Sequence, residues 1–124
     1  IASKGNSTRF GELTAKHQRP TGASNGIKGL VFSGRDIPDI SEISMTSGGV
    51  GIHFGNLSGE GDYSGFSAIR AVHGGGEPGS GGRTNRIEYV TMTTGGNGQD
   101  FGDLSFAESF LTATSDSHGG LGGF

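Results

Sequence analysis

Apolar positions in this chain come in short bursts rather than in long stripes. Ile43 and Met45 alternate with Ser44, and Val90 and Met92 alternate with Thr91. That two-residue period belongs to a strand with one covered face. No window of useful length shows the 3.6-residue period of an amphipathic helix. The bursts recur in a fixed order, which predicts four strands per unit. A weak strand comes first (Thr21–Ser24, Gly65–Ala68, Leu111–Thr114). A strand running into glycine follows (Gly29–Gly34, Ile69–Gly75, Gly119–Gly123). The third carries the Ile-x-x-Ile/Val-x-Met pattern (Ile40–Ser47, Ile87–Thr94). The last carries Phe-Gly-x-Leu. The expectation is an all-β chain with no helix beyond a single turn.

The Phe-Gly-x-Leu phrase marks an internal repeat, occurring as Phe10-Gly11-Glu12-Leu13, Phe54-Gly55-Asn56-Leu57 and Phe101-Gly102-Asp103-Leu104. Ile1, Met45 and Met92 each stand nine residues ahead of their phenylalanine, and Asn6 falls on Asn97. The units are therefore 10–53 and 54–100, with partial units at 1–9 and 101–124, all in one domain of 124 residues. The three phenylalanines, each with its leucine beside it, are expected to fill equivalent buried sites. Large-to-small changes at such sites cost about 3–5 kcal/mol per Phe.

Composition sharpens this picture. Leu, Ile, Val and Phe supply only 26 of the 124 residues, whereas glycine supplies 27. Glycine in a helix costs about 1 kcal/mol relative to Ala, so a helical bundle is excluded. The glycines lack a three-residue period and Pro numbers 3, which excludes collagen. A net charge of −3 gives no basic footprint for nucleic acid. No apolar run approaches the roughly 20 residues of a membrane helix. With no cysteine there is neither a disulfide nor a thiolate metal site to stabilise the chain. Backbone pairing and contact between neighbouring repeats must do so instead.

The order of apolar strand, twin glycine, aromatic strand and turn resembles a kelch repeat, whose four-stranded unit is a propeller blade. Thr93-Thr94-Gly95-Gly96-Asn97-Gly98-Gln99-Asp100-Phe101-Gly102-Asp103-Leu104 is similar to the glycine-rich, kelch-like repeats of tail-fibre and appendage proteins of tailed bacteriophages. The resemblance covers essentially the whole chain. It implies kelch-like β-propeller blades, about three four-stranded units within a larger ring or assembly. It also implies a structural or adhesive module of a virion appendage, at the virion surface or extracellular, serving assembly or host attachment. The other reading is an extracellular carbohydrate-binding propeller of non-viral origin.

Candidate chemistry is sparse. Gly95-Gly96-Asn97-Gly98-Gln99-Asp100 fits the opening of a GGxGxD calcium repeat. Its counterpart Gly48-Gly49-Val50-Gly51-Ile52-His53 lacks the acid, which favours plain turns with left-handed glycines. Gly74, Gly76 and Gly79 spell G-x-G-x-x-G, but Pro78 and the glycines that follow cannot open the helix a dinucleotide site needs. His73 and His118 share a strand position in successive units and could meet at a metal, against a default of partly exposed strand histidines. Asp100 and Asp103 form an acidic pair of the kind turns prefer. The sequons Asn6-Ser7-Thr8 and Asn56-Leu57-Ser58 arise readily in a Ser- and Thr-rich chain. No nucleophile elbow or paired catalytic carboxylate stands out, so the expectation is a non-enzyme without a cofactor.

Tyr63, Phe66, Phe106 and Phe110 fall in or beside the connections between units. They are candidate ligand contacts, stacking on a cell-surface glycan, unless Phe66 and Phe110 simply pack between units. The chain starts at Ile1, reads as a processed product or fragment, and opens and closes within a unit. The expected partners are therefore other copies of itself or the rest of a longer polypeptide. Two copies would make a six-bladed ring, and head-to-tail addition would make a filament.

Overall fold

A computed structural model describes residues 5–34, 37–59, 64–66, 69–78 and 80–113. The described residues are all β, with no helix. The strands are β1 (Gly11–Glu12), β2 (Thr21–Ser24), β3 (Lys28–Phe32), β4 (Asp39–Ser44), β5 (Gly49–Val50), β6 (Ile52–Asn56), β7 (Ser64–Phe66), β8 (Arg70–Gly74), β9 (Arg86–Thr91) and β10 (Gln99–Asp103). Two four-stranded antiparallel sheets form, β2-β3-β4-β6 and β7-β8-β9-β10, and neither closes on itself. No helix of the described residues is long and apolar enough to cross a membrane.

The two sheets repeat one another pair for pair. Lys28 lies opposite Ser44 and Phe32 opposite Ile40 in the first sheet. Arg70 lies opposite Thr91 and Gly74 opposite Ile87 in the second. The register slips by one residue between Ile40 and Ser41 where β4 meets β6. It slips at the equivalent place where β9 meets β10, between Asp100 and Gly102. Connecting hydrogen bonds recur as well. Met45 N–H donates to the Ile27 carbonyl and Met92 N–H to that of Ile69, both at 2.8 Å. Leu57 N–H reaches the Pro38 carbonyl at 2.8 Å, as Leu104 N–H reaches that of Asn85 at 2.6 Å.

Some boundaries differ from the sequence reading. The third strand stops at Ser44 and Thr91, because residues 45–47 and 92–94 turn back. In the first of these turns Gly48 N–H closes on the Ser44 carbonyl at 3.0 Å. Leu111–Ala113 is not a strand, β7 begins at Ser64, and Gly119–Gly123 lies outside the described residues.

Side chains that face each other across a sheet lie on one side of it. Leu30, Phe32 and Ile40 therefore share the trailing face of the first sheet. Ala71, His73, Glu88 and Val90 share the leading face of the second. These two faces pack together, with the Phe32 and His73 rings stacked at 5.5 Å between centroids. Leu30, Phe32, Ile40, Phe54 and Leu57 join Ala71, Val90 and Met92 in the buried core. Burying a large apolar side chain contributes about 1.5–3 kcal/mol. The core of this glycine-rich chain is thus the joint between two repeats.

Candidate functional site

The feature that recurs with the repeat is a seam between a Phe-Gly-x-Leu phrase and the glycine turn that leads into the next such phrase. At the first seam Gly49 N–H donates to the Phe10 carbonyl at 2.9 Å and Gly51 N–H to that of Glu12 at 2.6 Å. These bonds make β1 and β5 a short parallel pair. At the second seam Gly96 N–H donates to the Phe54 carbonyl at 3.1 Å and Gly98 N–H to that of Asn56 at 2.7 Å. The Asn97 side-chain carbonyl also accepts from Asn56 N–H at 3.0 Å. The glycine of the phrase has a steric reason. A Cβ on Gly11 would run into the Gly49 carbonyl, and one on Gly55 into the Gly96 carbonyl. On the other side of the seam Gly48 and Gly49, like Gly95 and Gly96, hold positive φ angles. The same GGxGxD-like stretch thus supplies turn amides to the preceding Phe-Gly-x-Leu phrase, and the Asp100 carboxylate caps its own Gly102 N–H at 3.2 Å.

A polar clasp sits behind each seam, on the residue after the leucine. Behind the first, Thr14 donates to the Asp39 carboxylate at 2.7 Å and bonds to Ser41. The buried His17 ring bridges Ser33 Oγ at 2.6 Å and Ser41 Oγ at 3.2 Å. His53 Nδ1 meets the other Asp39 oxygen at 2.6 Å. Burial pushes the Asp39 carboxyl up, but hydrogen bonds from Thr14, His53 and Ser41 outweigh it and hold the group below its usual 3.8. Behind the second, Ser58 N–H donates to both oxygens of the buried Glu88, at 3.1 and 3.3 Å. Arg86 stands 3.5 Å from the same carboxylate. Thr14 and Ser58, Ser41 and Glu88, and Asp39 and Arg86 occupy corresponding positions, so one clasp is built twice from different polar residues.

The anchor phenylalanines do not share one environment. Phe54 is 7% exposed, whereas Phe10 is 53% and Phe101 56% exposed. Leu57 is buried, but Leu13 and Leu104 are only half-buried. The expected three equivalent buried sites are therefore one, because only Phe54 has a complete sheet on either side.

Phe106 and Phe110 are exposed, and Phe110 lies under the Arg19 guanidinium at 5.1 Å rather than packed between units. Tyr63 lies outside the described residues, and Phe66 is placed on β7 by its backbone. His118 likewise lies outside them, so the proposed meeting with His73 has no geometry to report. His73 itself is buried against Phe32, which corrects the expectation of a partly exposed strand histidine there, and the His17 ring is buried in the clasp. Among the described histidines only His53 is substantially exposed. Among the described residues no group of three or more His, Asp or Glu side chains could hold a metal ion.

Sequence reasoning missed the clasp. Thr14, His17, Ser33, Asp39, Ser41 and His53 carry no motif spacing. The available signal was the hydroxyl residue after each anchor leucine, at Thr14, Ser58 and Ser105. No protein-family model matches this chain, and no curated protein matches it at significant similarity.

Proposed function

We propose that this chain is a structural and adhesive repeat module of a virion appendage, of the tail-fibre or surface-protein type, serving assembly or host-surface attachment. The observation that carries this reading is the pair of backbone hydrogen bonds repeated at both seams, a construction that adds units. The polar groups of the two clasps tie one repeat to the next. Each four-stranded antiparallel sheet has the make-up of a propeller blade, and we read the units as kelch-like blades of a larger ring or fibre. Labelled antibody against this chain, imaged on the particle it comes from, should mark a fibre or surface projection. Label confined to non-viral material would overturn the viral assignment.

A second reading rests on the exposed Phe106 and Phe110 rings. Aromatic faces at a module's surface stack on sugar rings, so a carbohydrate-binding extracellular propeller is the alternative. Glycan-array binding lost on changing both residues to Ser, from a chain found on no virion, would favour it.

A further inference from the structure

The two ends of the described structure are unlike and complementary. On the trailing face of the second sheet, Val72 and Ile87 are only half-buried, and Phe101 is exposed. Their counterparts in the first sheet, Leu30, Ile40 and Phe54, are buried because the second sheet covers them. On the leading face of the first sheet, Val31 and Ile43 are half-buried and Met45 is 45% exposed. Their counterparts in the second sheet, His73, Val90 and Met92, are buried against the first. Each open face is thus of the kind that already has a covered equivalent inside the chain.

The seam tells the same story through its glycines. Gly11 is pressed against a glycine carbonyl between β4 and β6, and Gly55 against one between β9 and β10, while a Cβ at Gly102 would meet nothing within 4 Å. Strand β10 is the edge of its sheet. Its phrase Phe101-Gly102-Asp103-Leu104 matches Phe10-Gly11-Glu12-Leu13 at three positions and keeps an acid at the fourth. The 10–13 phrase reaches Gly49–Gly51 as a two-residue strand with no sheet of its own behind it. The 101–104 phrase would arrive backed by a whole sheet, whose trailing face could cover Val31, Ile43 and Met45.

We propose that copies of this chain join head to tail. The trailing face of one copy's second sheet, with its Phe101–Leu104 phrase, takes the place on the next copy's first sheet that Phe10–Leu13 holds within one chain. The contact deepens the assembly reading above by naming the partner as a second copy, and it rests on that reading. It is heterologous, so successive additions build a ring or a filament according to the rotation at each joint.

The test uses all 124 residues of the chain, whose lack of cysteine makes any introduced disulfide unambiguous. Val50 pairs with Glu12 at the first seam, and Asp103 is the residue that would replace Glu12. The double variant Asp103→Cys/Val50→Cys should give, on mild oxidation, a ladder of covalent oligomers in steps of 12.6 kDa. It should form several-fold faster than with a control pair at exposed positions, Asp103→Cys/Ser80→Cys. In light scattering the unmodified chain should gain mass with concentration. Phe101→Ser should abolish that gain while leaving the circular dichroism spectrum unchanged. A monomer at every concentration, or cross-linking no faster than the control, would overturn the proposal. So would a face protected only in a longer parent polypeptide, which would give it to a following repeat. Antibody label on a virion projection beside a strictly monomeric chain would sink self-association and leave the appendage reading standing. Self-association with label absent from any projection would do the reverse.

Discussion

Phe54 and Phe101 sit in the same phrase, on the same strand of equivalent sheets, beside the same one-residue slip in register. One is buried and the other is more than half exposed. Met92 and Met45 make the same contrast at the opposite face, 0% against 45% exposed. Cross-strand pairing and the register slip agree within the phenylalanine pair, although Gly102 beside Phe101 holds a positive φ that Gly55 beside Phe54 does not. What differs is whether another sheet lies across them. Burial in this molecule is a property of the joint between repeats, and a residue's repeat position alone does not decide its energetic weight.

The largest effect should come from breaking the inner joint. Phe54→Ala should lose about 3–5 kcal/mol in a denaturant titration, whereas Phe101→Ala in the dilute chain should stay within about 0.5 kcal/mol. Equal losses at the two positions would show that sheet geometry, not the neighbouring unit, sets the cost.

Gly55→Ala comes next, because its methyl would strike the Gly96 carbonyl and part the seam. A loss of about 1–3 kcal/mol, typical of overpacking, is expected in thermal unfolding. Hydrogen exchange at the Gly96 and Gly98 amides should quicken with it. An unchanged exchange rate there would mean that these amides do not hold the seam.

The clasps offer a finer comparison. Glu88→Ala strands the Ser58 N–H beside a buried site and should cost about 1–3 kcal/mol. Asp39 answers to pH instead. Its folded-state pKa lies below the unfolded value of 3.8, so its contribution is full above that value. The contribution is lost as pH falls through the folded-state pKa. Acid titration of the unfolding midpoint should therefore show an added decline below about pH 4, which Asp39→Asn removes. A decline of the same size in the Asn variant would place the acid sensitivity elsewhere.

The strand order was legible because alternation and glycine turns are local signals. Ile43-Ser44-Met45 and Val90-Thr91-Met92 announce their strands, and Phe-Gly-x-Leu announces the seam without revealing what it pairs with. The steric role of Gly11 and Gly55 depends on a backbone some forty residues away, and no spacing rule encodes that approach. His17 illustrates the same limit from the polar side. Its partner Ser33 lies just past β3 and Ser41 lies within β4, so the buried ring looked like any loop histidine. The fates of Phe10 and Phe101 were illegible for a further reason, in that they are set by what lies beyond each end of the stack.

The connection from β3 to β4 has six residues, 33–38, and that from β8 to β9 has eleven, 75–85. The cross-strand register on either side is nonetheless the same. Five extra residues have entered without moving a single pair. Loop closure grows only as the logarithm of length, about 0.6 kcal/mol per doubling, so such a change is thermodynamically small. The longer loop is secured at its base, where Gly75 N–H donates to the Arg86 carbonyl at 2.9 Å and Thr84 N–H to that of Gly76 at 3.0 Å. Between those ties, foreign sequence can be grafted and carried outward by the scaffold. A display vector would be built at this loop.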